Sequence, residues 1–202
     1  MTDTNKSKRH QQRMKRQKSH VDDSIQQADK DKGLIVVITG NGKGKSSSGF
    51  GMVARALGHD MRVAIVQFIK GPCSTGEETF YRRFPDEVEY HVMGDGFTWD
   101  TQNLEQDIVS AQAAWKVCQR LLTDPDIDII LLDELNIVLK MNYLDINTVI
   151  TDLNNRPTMQ HVIITGRGAP DAIIDEADTV SRIDDVKHAF RAGIQAQKGI
   201  EL

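Results

Sequence analysis

A single short stretch restricts the fold of this 202-residue chain more than any other feature of its sequence. Residues 34–39 read Leu-Ile-Val-Val-Ile-Thr, a β-branched apolar run typical of a strand buried in a parallel sheet. The loop Gly40-Asn-Gly-Lys-Gly-Lys-Ser46 follows at once, and a helical pattern comes after it. Glycines let consecutive backbone N–H groups turn toward an anion, and a helix N-terminus adds partial positive charge. The stretch therefore predicts a phosphate-binding loop in an α/β fold.

The loop carries side chains suited to a nucleoside triphosphate and a magnesium ion. Lys45 can reach phosphate oxygens, and the hydroxyl of Ser46 can hold Mg²⁺. Thr39 stands where the usual loop pattern begins with glycine, and Lys43 adds a second cation. We expect ATP to contact this run and the serine after it: Thr39, Gly40, Asn41, Gly42, Lys43, Gly44, Lys45, Ser46 and Ser47.

Three further apolar runs alternate with segments of helical period, at residues 63–69, 127–132 and 161–165. Buried strands that alternate with helices predict a mostly parallel sheet flanked by helices, with ligands beyond the carboxyl ends of the strands. The clearest helical segment spans 104–122, and we expect Asp100 or Thr101 to cap its start and Asp124 to end it. Gly58 is expected to close the helix that follows the loop.

Charged residues follow two of these runs, at the edge of the sheet where ligands bind. Asp133 and Glu134 come directly after the run 127–132. We expect this strand to neighbour the first one and its carboxylates to hold Mg²⁺ or orient it through water; the alternative is a cap for the next helix. Arg167, after the fourth run, either clamps phosphate or lies solvated in a turn. Arg55, beyond the loop, is a further candidate for binding phosphate.

The N-terminus is basic although the chain as a whole is acidic. Residues 1–20 carry seven Lys/Arg and one Asp, a net charge of +6, whereas the whole chain carries −4, which leaves −10 for residues 21–202. A thin apolar stripe at helical spacing runs through this region: Met14, Val21, Ile25 and Ala28. We expect an arm at 1–32 and a domain at 33–202. Such an arm binds nucleic acid, remains a solvated or self-associating tail, or forms a helix that orders when it docks on a ligand or a second subunit.

The rest of the composition is that of an ordinary globular protein, with 39% hydrophobic and 27% charged residues, which excludes collagen-like and wholly disordered chains. No apolar run approaches the roughly 20 residues that span a bilayer, and the N-terminus lacks the apolar core of a secretory signal. Cys73 and Cys118 show no disulfide or metal spacing, so we expect reduced thiols and a cytoplasmic protein.

Several motifs, taken in their order along the chain, indicate a more specific function than ATP binding alone. They are Gly40-Asn-Gly-Lys-Gly-Lys-Ser46, Val66-Gln-Phe-Ile-Lys-Gly71, Gly96-Phe-Thr-Trp99 with Thr101-Gln-Asn103, Leu132-Asp-Glu-Leu135, Ile164-Thr-Gly-Arg-Gly168 and Val186-Lys-His-Ala-Phe190. Together with the basic N-terminal segment, they resemble the P-loop family of ATP:corrinoid adenosyltransferases, which act in vitamin B12 synthesis and salvage. The resemblance covers residues 33–201. Ser46 replaces a frequent threonine and keeps its hydroxyl, while Leu202 replaces a frequent aromatic residue.

The resemblance implies a P-loop NTPase (RecA-like) fold and a reaction unlike phosphoryl transfer. Co(I) of a reduced corrinoid attacks the 5′ carbon of ATP, which lies reversed along the loop, and inorganic triphosphate leaves. Lys45 and Mg²⁺ at Ser46 and Glu134, with Asp133 beside them, would stabilise the leaving group. Phe97 and Trp99 would lie under the corrin and ease the reduction of Co(II); their alternative role is to anchor a hydrophobic loop. The resemblance further implies a homodimer, a flavoprotein reductant and an N-terminal helix that acts as a lid.

Two other functions fit the phosphate loop alone. An ordinary P-loop NTPase or small-molecule kinase would use Lys45, Ser46 and Asp133 at the γ-phosphate and produce ADP. An ATP-gated nucleic-acid-binding protein would use the basic arm on phosphates, although no base-reading or aromatic motif accompanies that arm and we do not expect nucleic acid as a partner. Neither alternative explains why Gly96-Phe-Thr-Trp99 accompanies the other motifs.

Overall fold

The computed structural model of the protein describes residues 3–69, 75–93 and 103–201. The chain divides into two compact units, residues 1–32 and residues 33–202. In the first unit, helix α1 spans Asp3–Gln27. Its apolar stripe is exposed to solvent, at Met14, Val21 and Ile25.

The second unit is built on one sheet, and every strand pairing within it is parallel. The strands are β1 Ile35–Thr39, β2 Val63–Gln67, β3 Val88–Val92, β4 Ile129–Asp133, β5 His161–Thr165 and β6 Thr179–Arg182, in the order β3-β2-β4-β5-β1-β6. The helices are α2 Lys45–Leu57, α3 Gly76–Tyr81, α4 Leu104–Thr123, α5 Leu135–Lys140, α6 Ile146–Asn154 and α7 Asp171–Glu176, with a 3₁₀ helix at Ala189–Ala192. The predicted α/β class and parallel sheet are confirmed.

All four apolar runs are strands, but the expected place of one of them is wrong. Strand β4 does not neighbour β1, because β5 pairs with both and lies between them. The carboxyl ends of parallel strands still meet at one edge, so the acids after β4 and the loop after β1 share that edge. Sequence reasoning also missed β3 and β6, which lie at the two ends of the sheet. Every residue of β6 is exposed, so that strand lacks the apolar signal of a buried one.

The core lies on both faces of the sheet, because successive strand residues point to opposite sides. On one side the apolar face of α4 is buried from Ala111 onward, including Trp115 and Cys118, in one cluster with residues of β1, β2, β4 and β5, whereas Leu104 at the start of the helix is exposed. On the other side α2 packs Phe50 and Val53 against alternate residues of the same strands. Burial raises the pKa of the Cys118 thiol, which suits a core residue without redox chemistry.

Helices α2 and α4 end at the predicted residues, but the residue that caps the start of α4 differs from the predicted ones. Asp124 ends α4 and Gly58 ends α2, as predicted. The start of α4 is capped by Asn103, whose side chain accepts a hydrogen bond from the Gln106 N–H at 3.2 Å, rather than by Asp100 or Thr101, which lie outside the described residues. In the described part of the chain, no helix is long and apolar enough to cross a membrane.

Candidate active site

A cavity of about 650 Å³ opens at the carboxyl edge of the sheet, beside the start of α2. It gathers most of the residues that the sequence singled out: Gly42, Lys43, Gly44, Lys45, Ser46, Ser47, Asp133, Glu134 and Arg167. Loops that follow three different strands therefore meet at one site, as expected for an open α/β sheet. Phe97 and Trp99, predicted to contact the corrin, lie outside the described residues.

The loop between β1 and α2 has the backbone of a phosphate-binding nest. Gly40 and Gly44 adopt positive φ angles of 104° and 107°, which side-chain-bearing residues rarely reach. Gly44 begins α2 without a side-chain cap, so the first amides of this helix remain for a ligand in the cavity. The Lys45 Nζ donates to the Gly42 carbonyl at 2.5 Å, which holds the ammonium over the loop. Burial lowers the pKa of Lys45, and nearby Glu134 opposes that effect.

Four predicted phosphate ligands are not among the residues that line the cavity. The Thr39 hydroxyl accepts a hydrogen bond from the Ala169 N–H at 3.2 Å, so it ties β1 to the loop after β5. Gly40 is required by packing, since a Cβ there would lie 2.3 Å from the Ile183 carbonyl oxygen. Arg55 lies in the last turn of α2, about 15 Å along the helix from Lys45, and the structure does not bring it to the site. Asn41 is exposed and is not among the residues that line the cavity.

Asp133 is held by hydrogen bonds at both of its carboxylate oxygens. Thr165 Oγ1 donates to Asp133 Oδ1 at 2.7 Å, and Gln67 Nε2 donates to Asp133 Oδ2 at 3.0 Å. The Tyr90 hydroxyl donates in turn to Gln67 Oε1 at 2.9 Å. These buried contacts join the neighbouring strands β3, β2, β4 and β5. Asp133 is therefore a rigid anchor in the floor of the site.

Glu134 differs from its neighbour because its carboxylate is largely unsatisfied. Its φ of 64° is unusual for a residue with a side chain, and its backbone N–H donates to Thr165 Oγ1 at 3.0 Å. The side chain does not cap α5, and in the described part of the chain the buried Oε2 has no hydrogen-bond partner. Burial, and next the charge of Asp133, raise the pKa of Glu134 to about 7. A buried carboxylate oxygen beside the phosphate loop suits a divalent cation such as Mg²⁺.

The loop after β5 brings Arg167 to the same cavity. Gly166 and Gly168 flank the arginine with φ angles of 124° and 68°. Asn136, fully buried, donates from Nδ2 to the Gly166 carbonyl at 3.2 Å. A Cβ on Gly166 would lie 3.0 Å from Glu134 Oε2, so this glycine lets the arginine loop pass close to the acid. The predicted phosphate clamp thus lies beside the predicted metal ligand.

Sequence reasoning missed Gln67 and Thr165, which hold Asp133 by hydrogen bonds, and a further part of the cavity lining. That part comes from α3 and from the C-terminal segment: Glu77, Phe80, Tyr81, His188, Ile200 and Glu201. Gln67 and Thr165 carried a signal, since Gln67 is a polar residue inside the apolar run 63–69 and Thr165 is a polar residue at the end of the run 161–165. His188 lies inside the motif Val186-Lys-His-Ala-Phe190, which was recognised without a role.

Comparison with known proteins agrees with the motifs and the cavity. The family described as ATP:corrinoid adenosyltransferase BtuR/CobO/CobP matches residues 31–202. A corrinoid adenosyltransferase of Pseudomonas aeruginosa is 60% identical over 197 residues, which cover 98% of this chain and 97% of the relative. The corrinoid adenosyltransferases of Salmonella typhimurium and Escherichia coli K12 are 49% and 48% identical, and in both cases the alignment covers 96% of this chain and 97% of the relative. The chain therefore belongs to the ATP:corrinoid adenosyltransferase family.

Proposed function

We propose that this protein transfers the 5′-deoxyadenosyl group of ATP to the Co(I) centre of a reduced corrinoid in vitamin B12 biosynthesis and salvage. The observation that carries the proposal is the cavity that a glycine-rich loop, Lys43, Lys45 and Arg167 line together with Glu134, whose buried Oε2 accepts no hydrogen bond from the described residues. Family membership and relatives named corrinoid adenosyltransferases support the choice of reaction.

The reaction balances without an acid or a base from the protein. The electron pair of Co(I) forms the bond to C5′, the C5′–O bond breaks, and its electrons leave on inorganic triphosphate. Cobalt becomes formally Co(III), and no proton moves. The protein's task is to position C5′ and to stabilise a leaving group that gains charge. We propose this task for the loop amides, Lys43, Lys45 and Arg167, and their shared place in the cavity lining supports the proposal.

The cavity contains side-chain oxygen atoms of the kind that bind Mg²⁺ in proteins. Ser46 and Glu134 would hold Mg²⁺, with Asp133 fixing the floor behind them. When bound, the ion would neutralise part of the triphosphate charge. The feature that fits the ion is Glu134 Oε2, a buried carboxylate oxygen without a hydrogen-bond partner in the described part of the chain.

The corrinoid side of the reaction rests on residues outside the described ranges. Phe97 and Trp99 are proposed to lie under the corrin and displace the lower axial ligand of Co(II), which raises its reduction potential. A flavoprotein would supply the electron that converts Co(II) to Co(I). We further propose a cytoplasmic homodimer in which the arm, residues 1–32, closes over a neighbouring site as a lid.

The test is an anaerobic mixture of the protein, Mg·ATP and chemically reduced cob(I)alamin. The phosphorus product is identified by chromatography while the corrinoid spectrum is followed. Inorganic triphosphate that appears in step with a light-sensitive alkylcobalamin is the expected result. ADP and phosphate without a new cobalt–carbon bond would instead assign the protein to the ordinary NTPases, and the role given to Phe97 and Trp99 would be lost with it.

A further inference from the structure

The C-terminal segment 183–201 meets the phosphate loop at both of its ends. The Ile183 N–H donates to the Thr39 carbonyl, and the Gly42 N–H donates to the Ile183 carbonyl, each at 2.8 Å. At the other end, Lys43 Nζ lies 3.8 Å from Glu201 Oε1. Both ends of the segment are therefore tied to the phosphate loop.

His188 lies within this segment and lines the cavity. It precedes the 3₁₀ helix Ala189–Ala192, and its ring Nδ1 accepts a hydrogen bond from the Phe190 N–H at 3.2 Å. An ion pair between Arg191 and Asp185 closes the same turn. The histidine ring is thus oriented by contacts within the turn.

This contact fixes which ring nitrogen carries the proton. A backbone N–H can only donate, so Nδ1 must present its lone pair to Phe190. In the neutral ring the proton then resides on Nε2, and the remaining polar group of the side chain is a hydrogen-bond donor. A donor in a cavity lined by Lys43, Lys45 and Arg167 suits an anionic ligand.

We propose that His188 is a further ligand of the triphosphate, to which it donates a hydrogen bond from Nε2–H. The identity of the ligand rests on the proposed function, whereas the donor and its place in the cavity that the phosphate loop also lines rest on the geometry. His188 would therefore help bind ATP and stabilise the departing triphosphate, as the loop amides do.

Substitutions of His188 can distinguish the role of Nε2, the proposed donor in the cavity, from that of Nδ1, which accepts the hydrogen bond of the turn. His188→Asn keeps an acceptor for the Phe190 N–H, since asparagine is a good cap, but its short side chain lacks the distal donor. His188→Gln places an amide N–H near the position of Nε2. His188→Ala removes both groups. Lys187→Ala is the matched control, because it removes a full positive charge from an exposed neighbour that does not line the cavity.

Calorimetric titration with Mg·triphosphate and with Mg·ATP measures the effect on the full-length chain. We expect His188→Ala and His188→Asn to weaken triphosphate binding by about tenfold, as for a lost hydrogen bond to a charged group. His188→Gln should recover most of the affinity, and Lys187→Ala should stay within about twofold of the wild type. Thermal unfolding of each variant verifies that the fold is retained.

Nitrogen-15 NMR of labelled histidine supplies a signature that a purely structural role would not give. The free protein should show the Nε2–H tautomer at His188, and triphosphate should shift the Nε2 resonance more than that of Nδ1. The inference would be overturned if His188→Asn bound triphosphate with wild-type affinity, or if Lys187→Ala lost as much affinity as the His188 variants. It would also be overturned if the proton of His188 lay on Nδ1, or if the wild type bound no triphosphate. If the wild type binds triphosphate through His188 but forms no cobalt–carbon bond, the proposed function fails while this ligand assignment stands.

Discussion

Glu134 is the residue on which the metal assignment depends. Its buried Oε2 has no hydrogen-bond partner among the residues that the structure describes, and burial raises the pKa of its carboxyl group to about 7, so a negative charge at this position is destabilised in the free protein. We expect Glu134→Gln to raise the Mg²⁺ concentration needed for ATP binding by at least about tenfold. The unfolding midpoint should stay equal or rise, because the neutral amide removes a buried charge. Calorimetry across a Mg²⁺ series and thermal melting measure the two effects.

Glu77 provides the control for this prediction. It also lines the cavity and carries the same charge, but it belongs to the first turn of α3 and does not follow a strand of the sheet. Glu77→Gln should leave the Mg²⁺ dependence near that of the wild type. The metal assignment would be wrong if Glu134→Gln behaved like the wild type, or if both variants lost Mg²⁺ dependence equally.

For single residues, site residues that directly follow a strand could be predicted from the sequence, whereas hydrogen bonds between side chains of different strands could not. Asp133, Glu134 and Arg167 could be placed because a parallel sheet collects all its strand ends at one edge. The bond between Gln67 and Asp133 joins residues 66 apart in the sequence, and it exists only because β2 pairs with β4. The lateral order of the strands depends on the packing of the whole sheet, which no local pattern encodes.

Among the elements, the neighbouring strands β3, β2 and β4 act together through the buried polar chain Tyr90–Gln67–Asp133. Tyr90→Phe leaves the Gln67 Oε1 without its donor, and Gln67→Leu removes the donor to Asp133. Each substitution should lower the free energy of unfolding by about 1–3 kcal/mol, since a buried polar group loses its partner. Urea denaturation of both variants measures the loss.

The double variant tests whether the two contacts form one network. If Tyr90 acts through Gln67, then Gln67→Leu with Tyr90→Phe should cost clearly less than the sum of the single losses, because the second change removes a group already stranded. Strictly additive losses would show that the strands are stabilised independently and that Asp133 is not positioned from β3. ATP affinity in the same variants should fall with the Gln67 change, since Asp133 fixes the floor of the site.

The arrangement of elements was predicted as far as local periodicity allows. The four buried strands and α4 have strong apolar patterns, and each forms within a few residues of its predicted position along the chain. The expected adjacency of β1 and β4 failed because β5, the strand that comes later in the chain, enters between them. Strand β6 has no buried residue, so its position beside β1 is decided by backbone pairing rather than by side-chain burial.

For the molecule as a whole, the division into two units coincides with a division of charge and core. Both hydrophobic clusters consist of residues from 35 onward, and the family match begins at residue 31. The arm carries a basic surface and an exposed apolar stripe, whereas the rest of the chain is acidic. Because the sheet has its own core, we expect it to fold without the arm, whose residues are then available for a separate function.

Deletion of residues 1–32 tests that separation of roles. We expect the truncated chain to keep the unfolding midpoint within a few degrees and to bind Mg·ATP as the full chain does, because the core clusters and the phosphate loop remain. If the arm is a lid, the KM for the corrinoid should rise and turnover should slow, since the reactive cobalt is less shielded from water.

A full-length variant with Met14, Val21 and Ile25 changed to serine should show the same higher KM and slower turnover if the exposed stripe is the docking surface. Unchanged KM and turnover in the truncated chain would exclude a lid, and loss of the cooperative transition would show that the domain needs its arm in order to fold.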